Sequence, residues 1–222
     1  MKKKQLKLSP STLNLYKNCP RCFWNHFNGL KRPAGIFPSL PSGMDRVLKD
    51  YFDFYRKNKQ VPPEVEELGA DLFNEPVLKD WQNNFRGIVW TDKKTGVILR
   101  GAVDDMLVKD GKLIVIDFKT RGFPLKEDTH KHYQDQLNIY NFLLRKNKRK
   151  VTNYGYLIFY HPKKACTGKR CIFEFHTDLI KMKLSQSAAE KLFRDAVKVL
   201  KSSKPPKASK DCGFCRWLRG NL

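Results

Sequence analysis

Two aspartates and a lysine occur in a stretch whose pattern predicts paired β-strands. Asp104 falls in the first apolar run, and Asp117 and Lys119 close the second. Alternate residues of a strand share a face, so Asp117 and Lys119 point the same way, and Asp104 can reach that face from the neighbouring strand. Carboxylates are hard ligands that Mg²⁺ and Mn²⁺ prefer, and a lysine beside them can orient a water toward a phosphate. The set predicts metal-assisted phosphate hydrolysis, although an isolated Asp-x-Lys would indicate only a strand-end ion pair.

The elements that must hold these side chains are a β-hairpin and the helix that follows it. Residues 97–121 are typical of two strands joined by a turn at Lys109-Asp110-Gly111, and the second strand is a nearly continuous apolar run, as in buried strands. A helix predicted over about 130–146 places Gln136 and Tyr140 one turn apart. Strands are predicted over 154–160 and 170–176, and a last helix over about 179–200. We therefore predict an α/β fold with a mixed central β-sheet flanked by helices.

Taken in order, these residues resemble those of the PD-(D/E)XK nuclease superfamily. The closest resemblance is to RecB/AddB-type nuclease domains and their CRISPR-adaptation exonuclease relatives, over roughly residues 9–215. It rests on three motifs, which are Gly101-x-x-Asp104, Asp117-Phe118-Lys119-Thr120 and Gln136-x-x-x-Tyr140. The resemblance implies a restriction-endonuclease-like core, in which the glutamine and tyrosine of the third motif line the catalytic site.

The same resemblance implies a metal centre. It assigns Mg²⁺ or Mn²⁺ to Asp104, Asp117 and the backbone carbonyl of Phe118, and a catalytic function to Lys119. In that family, the helix that corresponds to the one predicted here over about 42–58 often carries a metal-binding histidine. This sequence has no histidine there. Asp45 on this helix is either a substitute metal ligand or an acid that favours the helix start.

The charge of the chain points to a polyanionic partner. Its 222 residues carry 44 Lys plus Arg against 22 Asp plus Glu, a formal net charge of +22. Such an excess favours DNA, because phosphate neutralisation supplies most of non-specific affinity, whereas a membrane surface would need an amphipathic basic helix or an anchor that we do not find. The candidate phosphate contacts form one cluster at the end of the third-motif helix, with a solvated helix end as the alternative: Arg145, Lys146, Lys148, Arg149 and Lys150.

Two Cys-x-x-Cys pairs lie near opposite ends of the chain. Cys19 with Cys22, and Cys212 with Cys215, can converge on one four-cysteine metal site that joins the termini. The resemblance implies a [4Fe-4S] cluster, although its relatives split their cysteines one and three rather than two and two. Zn²⁺ is the alternative that two such pairs suit. Cys166 and Cys171 have no matching ligand pair and are expected to be ordinary thiols.

These observations give one set of expectations. We expect a single nuclease domain over 1–222, with a basic tail at 1–8 and a linker at 202–210, in a cytoplasmic protein without signal peptide or transmembrane segment. We expect a Mg²⁺- or Mn²⁺-dependent deoxyribonuclease, an exonuclease acting in DNA repair, recombination or defence. The chain has no P-loop motif, so processive action would require a separate helicase or recombination protein. The alternative is a non-catalytic nucleic-acid-binding or helicase-partner subunit on the same fold.

Overall fold

The computed structural model describes residues 5–163 and 172–220, which form a mixed α/β fold. The strands are β1 Lys7–Leu8, β2 Asp71–Leu72, β3 Ile88–Thr91, β4 Ile98–Gly101, β5 Asp105–Lys109, β6 Lys112–Thr120, β7 Tyr154–Pro162 and β8 Phe175–Lys183. The helices are α1 Pro10–Asn18, α2 Pro20–Phe27, α3 Ser39–Lys57, α4 Pro63–Glu66, α5 Val77–Gln82, α6 Gln134–Lys146, α7 Gln186–Leu200 and α8 Gly213–Gly220. A 3₁₀ turn, Thr129–Tyr133, precedes α6.

The central sheet has the strand order β2-β5-β6-β7-β8. β6 pairs in parallel with β7, and the other neighbours pair antiparallel, so the predicted mixed sheet flanked by helices is confirmed. Side chains of β6 alternate between two helical layers. Ile116 and Phe118 face α3, where the Phe52 and Phe118 rings lie 4.7 Å apart, while Leu113 and Val115 pack in the cluster that contains α6. Asp117 and Lys119 continue the alternation of Leu113 and Val115 and therefore face α6.

The predicted hairpin is correct in its turn and wrong in its first strand. Asp110 and Gly111 have φ of 50° and 68°, as a two-residue hairpin turn of type I′ requires. The predicted strand before the turn is instead divided. β4 belongs to a small second sheet of order β1-β4-β3, residues 102–104 are irregular, and β5 enters the central sheet. Asp104 therefore lies at the junction of two sheets rather than inside a strand.

The predicted strand over 170–176 and helix over 179–200 are displaced. β8 runs from Phe175 to Lys183 because it pairs with β7 along its whole length. Within the predicted helix over 179–200, only the residues of α7 are helical. The Ser185 hydroxyl accepts a hydrogen bond from the Ala188 N–H and so caps the start of α7. Residues 164–171, including Cys166 and Cys171, lie outside the described residues. Pairing with a neighbouring strand thus outweighs the helical spacing of the apolar residues after 178.

The N-terminal region is more ordered than predicted. Lys7 and Leu8, assigned to a basic tail, pair in parallel with Ile98 and Leu99, and Leu8 is buried. Pro20–Phe27 forms a second helix that was not predicted. In α3, Val47 is 58% exposed, whereas its neighbour Leu48 is buried. Among the described residues, no helix is long and apolar enough to cross a membrane.

Gly101 allows close packing between β4 and α6. A Cβ atom at this position would lie 2.8 Å from Tyr140 Cε1 and 3.1 Å from Leu143 Cδ1. We expect Gly101→Ala to lower the free energy of unfolding by roughly 1–3 kcal/mol, because added volume in a packed core forces side chains off their rotamers. Urea unfolding measures this change. Gly122→Ala is the matched control, since nothing lies within 4 Å of its Cβ position, and an equal loss in both variants would contradict the packing argument.

Candidate active site

Asp104, the residue immediately before β5, binds the backbone of β6. β5 pairs with β6 only as far as Asp105 and Ile116. The Phe118 N–H, two residues further along β6, donates a 2.8 Å hydrogen bond to Asp104 Oδ2. Because the N–H and C=O of one strand residue point to the same edge, the Phe118 carbonyl also faces this edge. The irregular segment before β5 therefore brings the Asp104 carboxylate beside the end of β6.

Asp117 lies at the centre of a polar network on the α6 face of the sheet. It is fully buried and forms an ion pair with Lys119. Gln136 Nε2 donates to Asp117 Oδ1 at 3.0 Å and to the Tyr140 hydroxyl at 2.7 Å. The Lys119 ammonium lies 4.7 Å above the Tyr133 ring. The structure thus brings together the residues that the three sequence motifs singled out.

Helix α3 contributes an aspartate and a lysine to the same site. Lys49 Nζ lies 2.8 Å from Asp45 Oδ2 and 3.3 Å from Asp104 Oδ1. Asp45 is therefore close to the other carboxylates, at the position suggested for a substitute ligand. Lys49 was missed in the sequence, where its only signal was the spacing of four residues from Asp45, which is common on exposed helices. Asp45, Asp104 and Asp117, called the acidic site below, therefore lie between two lysines, Lys49 and Lys119.

The electrostatics of the site fit a divalent cation. Burial, and then the nearby Asp104 carboxylate, raises the pKa of Asp117 to about 7. Burial and Asp104 also raise the pKa of Asp45. Burial alone would lower the pKa of Lys119, but Asp117 and Asp104 raise it above its usual value. Asp117 Oδ2 is buried and is contacted by the Lys119 ammonium. Hard carboxylate oxygens that resist ionisation together suit Mg²⁺ or Mn²⁺.

Asp105 has a different environment from its neighbour Asp104. It is fully buried, forms an ion pair with Arg56 and accepts a 2.7 Å hydrogen bond from the Met106 N–H. Arg56 Nε in turn donates to the Phe73 carbonyl at 2.8 Å. Asp105 therefore anchors α3 to the sheet, while Asp104 faces the cleft.

The acidic site opens into two adjoining clefts. The first, of about 730 Å³, is lined by Asp45 and Asp104 together with Lys49 and Lys119. The second, of about 810 Å³, is lined by Lys17, Arg100 and Lys131. The two clefts share Asn84, Ala102, Gln136 and Tyr140 in their linings. A basic channel therefore adjoins the carboxylates.

The basic cluster at the end of α6 lies away from these clefts. Val151 beside it is bridged to Leu113, near the start of β6, whereas the acidic site is at the other end of that strand. Arg145 donates to the Asn141 side chain and to backbone carbonyls, and Arg149 binds Glu75. Lys146 Nζ lies 3.8 Å from Glu190 and over the Trp90 and Phe142 rings, so three of the five cations have structural contacts. Lys146, Lys148 and Lys150 complete the cluster.

The four cysteines of the two Cys-x-x-Cys pairs lie together and are buried. The Sγ–Sγ distances are 3.7 Å for Cys19 and Cys215, 3.5 Å for Cys22 and Cys212, and 3.4 Å for Cys22 and Cys215. Cys19 is the residue before α2, and Cys212 the residue before α8, so each pair lies at a helix N-terminus. The predicted four-cysteine clasp between the two chain ends is confirmed as an arrangement of side chains.

The surroundings of these thiols favour a bound cation. Burial raises the pKa of Cys19, but hydrogen bonds from the Cys22 and Ser209 N–H groups outweigh it and lower the value to about 6. Burial and the neighbouring thiols raise the pKa of Cys215 well above its usual range. Arg32 Nη2 donates to Cys212 Sγ at 3.2 Å. Only some of these thiols ionise easily without a metal, so a cation at their centre would stabilise all four thiolates.

Comparison with known proteins identifies the family. The sequence model of the PD-(D/E)XK nuclease superfamily matches residues 29–219, a span that includes the acidic site and the second cysteine pair but begins after the first. The crystal structure of SSO0001 aligns with 99% of this chain and 87% of its own, at 16% identity and a TM-score of 0.44. No curated protein matches the sequence. On the extent of the family match, this chain belongs to the PD-(D/E)XK nuclease superfamily.

Proposed function

We propose that this protein is a metal-dependent DNA nuclease that hydrolyses phosphodiester bonds. One observation carries the proposal: Asp45, Asp104 and Asp117 converge with Lys119 beside a basic cleft. RecB/AddB-like exonuclease action in DNA repair, recombination or defence is the finer form of the proposal, and a separate helicase or recombination protein would supply movement along DNA. The sequence motifs support this form.

The site residues divide the work of hydrolysis. Asp104, Asp117 and the Phe118 carbonyl would hold Mg²⁺ or Mn²⁺, with Asp45 beside them. When bound, the ion neutralises charge on the phosphate and lowers the pKa of a coordinated water. Lys119 keeps its proton beside two carboxylates and orients the attacking water by donating a hydrogen bond to it. Gln136 fixes the Asp117 carboxylate by donating to Oδ1.

The substrate phosphates would follow the basic cleft beside Gln136 and Tyr140. Lys17, Arg100 and Lys131 line this cleft, and cations in a groove next to the reacting centre position a phosphate backbone without reading its bases. The α6 cluster, at the other end of β6, is about 17 Å further along, which is about five base pairs of duplex. A duplex that spans this distance would contact both regions.

Lys119→Ala tests the proposed role of the lysine. We expect Mg²⁺-dependent cleavage to fall by at least roughly 100-fold, since a preorganised donor to the reacting atoms is lost. DNA affinity should change less than about threefold, because a net charge of +22 spreads binding over many phosphates. Cleavage and binding are measured on linear, circular and single-stranded DNA.

Lys112→Ala is the matched control, because it removes the same charge at the start of the same strand. It should cut DNA at the wild-type rate. Cleavage by Lys119→Ala at that rate would show that the active site is placed wrongly. A wild-type protein that binds DNA but cuts none of the three substrates with Mg²⁺ or Mn²⁺ would favour the non-catalytic alternative.

The raised pKa of Asp117 predicts a pH-dependent metal affinity. The carboxyl, with a pKa of about 7, must lose its proton before it binds a divalent ion. We expect the apparent Mg²⁺ dissociation constant to fall roughly tenfold per pH unit up to about pH 7 and then level off. Without metal, the same shift should lower the free energy of unfolding as pH rises from about 4 to about 7, because only the folded protein keeps this proton.

Thermal melts across this pH range, with and without Mg²⁺, measure both effects. Asp117→Asn removes the titrating group at nearly constant shape and should abolish the pH dependence of the Mg²⁺ response. Asp110→Asn, in the hairpin turn and remote from the site, is the control and should leave it unchanged. A Mg²⁺ response that is independent of pH in the wild type would refute the link between Asp117 and the metal.

We infer that the four-cysteine clasp holds a single tetrahedral ion, for which Zn²⁺ is the best match. Four thiolates at about 2.3 Å from one zinc lie roughly 3.8 Å from one another, and the sulfur contacts here are 3.4–3.7 Å. The four irons of a [4Fe-4S] cluster each take one thiolate and therefore need the sulfurs further apart. The resemblance to RecB/AddB-type domains supports the cluster as the competing assignment.

Cys212→Ser tests the clasp and its metal together. We expect the variant to lose the bound metal and to melt at a lower temperature, because the metal joins the two ends of the chain. Cys166→Ser, which changes a cysteine without a matching pair, should do neither. A colourless wild-type protein with one zinc at this site supports the inference. A brown protein with visible iron–thiolate absorption would replace zinc by [4Fe-4S].

A further inference from the structure

Three metal-binding side chains meet on β7 and β8, outside the acidic site and the cysteine clasp. His161 and His176 face each other across the two strands, and Asp178 follows His176 on the same face of β8. One ligand atom from each lies within 4.8 Å of the others. We propose that His161, His176 and Asp178 form a second transition-metal site, of the class that binds Zn²⁺.

The separations within this cluster match those of ligands on one ion. His161 Nε2 lies 3.3 Å from Asp178 Oδ2, and His176 Nε2 lies 3.4 Å from Asp178 Oδ1. Ligands at about 2.0–2.2 Å from a tetrahedral zinc lie roughly 3.3–3.5 Å apart. Two imidazoles and one carboxylate are a donor set that suits borderline divalent ions such as Zn²⁺ better than Mg²⁺.

The hydrogen bonding of the cluster is incomplete without a cation. Asp178 Oδ2 is buried, and its 3.3 Å contact with His161 Nε2 does not have the geometry of a hydrogen bond. His161 Nδ1 lies 3.4 Å from the Pro162 carbonyl, so a proton on Nδ1 is the one that can be donated to a backbone oxygen. In that tautomer His161 Nε2 carries a lone pair on the side of the Asp178 carboxylate, where a shared cation would lie. A carbonyl that fixes the tautomer in this way is the usual outer contact of a metal-binding histidine.

The cluster is open on one side and lies on the catalytic face of the sheet. His161 is nearly buried, whereas the His176 side chain is 53% exposed, so solvent can supply the fourth ligand that three-residue zinc sites take. Lys119, Phe159 and Asp178 are directly paired across β6, β7 and β8. Two strand spacings separate the Lys119 and Asp178 backbones by about 10 Å. A metal bound here would therefore link the end of β7 to the start of β8, beside the acidic site.

Zinc counting on the full chain tests this site. Wild-type protein and His176→Asn are dialysed against Zn²⁺ with excess Mg²⁺, which occupies the carboxylate site, and zinc and iron are counted per chain. We expect His176→Asn to lose about one zinc relative to the wild type, whatever the cysteine clasp holds, because that clasp is the same in both. Asp178→Asn should lose the same ion. His132→Asn, at an exposed histidine of the 3₁₀ turn, should retain it.

Melting temperature gives a second measurement. Added Zn²⁺ should stabilise the wild type and His132→Asn more than His176→Asn, in which only the cysteine clasp is left to bind it, and all three should melt alike without zinc, since His176 is largely exposed. Equal zinc content in His176→Asn and the wild type would overturn the proposal. The contacts would then be those of a protonated histidine with a carboxylate. Neither measurement depends on DNA cleavage, so the result stands apart from the proposed nuclease function.

Discussion

The acidic site depends on the point at which β5 stops pairing with β6. β6 continues beside β7 to Thr120, but β5 leaves it after Ile116. An unpaired backbone N–H in a buried strand costs free energy comparable to a lost hydrogen bond. The Asp104 carboxylate accepts the Phe118 N–H at this point and so lies beside Asp117. A requirement of the backbone thus places two carboxylates together, although their charges repel each other.

That repulsion explains the balance of charges in the rest of the site. Three carboxylates, from Asp45, Asp104 and Asp117, face two lysines, Lys49 and Lys119, which leaves one uncompensated negative charge when all are ionised. Burial makes this excess expensive, and the raised pKa of Asp117 is its consequence. A divalent cation would reverse the sign of the excess and relieve the carboxylates. Binding of a divalent cation at this site would therefore stabilise the folded chain.

The sequence was informative wherever a local rule decides the structure. The period of two in a strand put Asp117 and Lys119 on one face, and Asp110-Gly111 specified a tight hairpin turn. The sequence was uninformative where pairing between distant segments decides the structure. The apolar spacing continues through residues 102–104, so nothing local shows that β4 and β5 join different sheets. Lys49 was missed for a similar reason, because its partner Asp104 is distant in sequence and only the fold brings them together.

The cysteine clasp and the basic cleft share a helix, whereas the carboxylates do not depend on it. α1 ends immediately before Cys19, and Lys17 of the same helix lines the basic cleft. Lys17 also binds Asp135 at the start of α6. The carboxylates are held instead by β6, its pairing with β7, and α3. Metal in the clasp would therefore fix the wall of the cleft along which a polyanion would lie, while the carboxylates are positioned by the sheet together with α3 and α6.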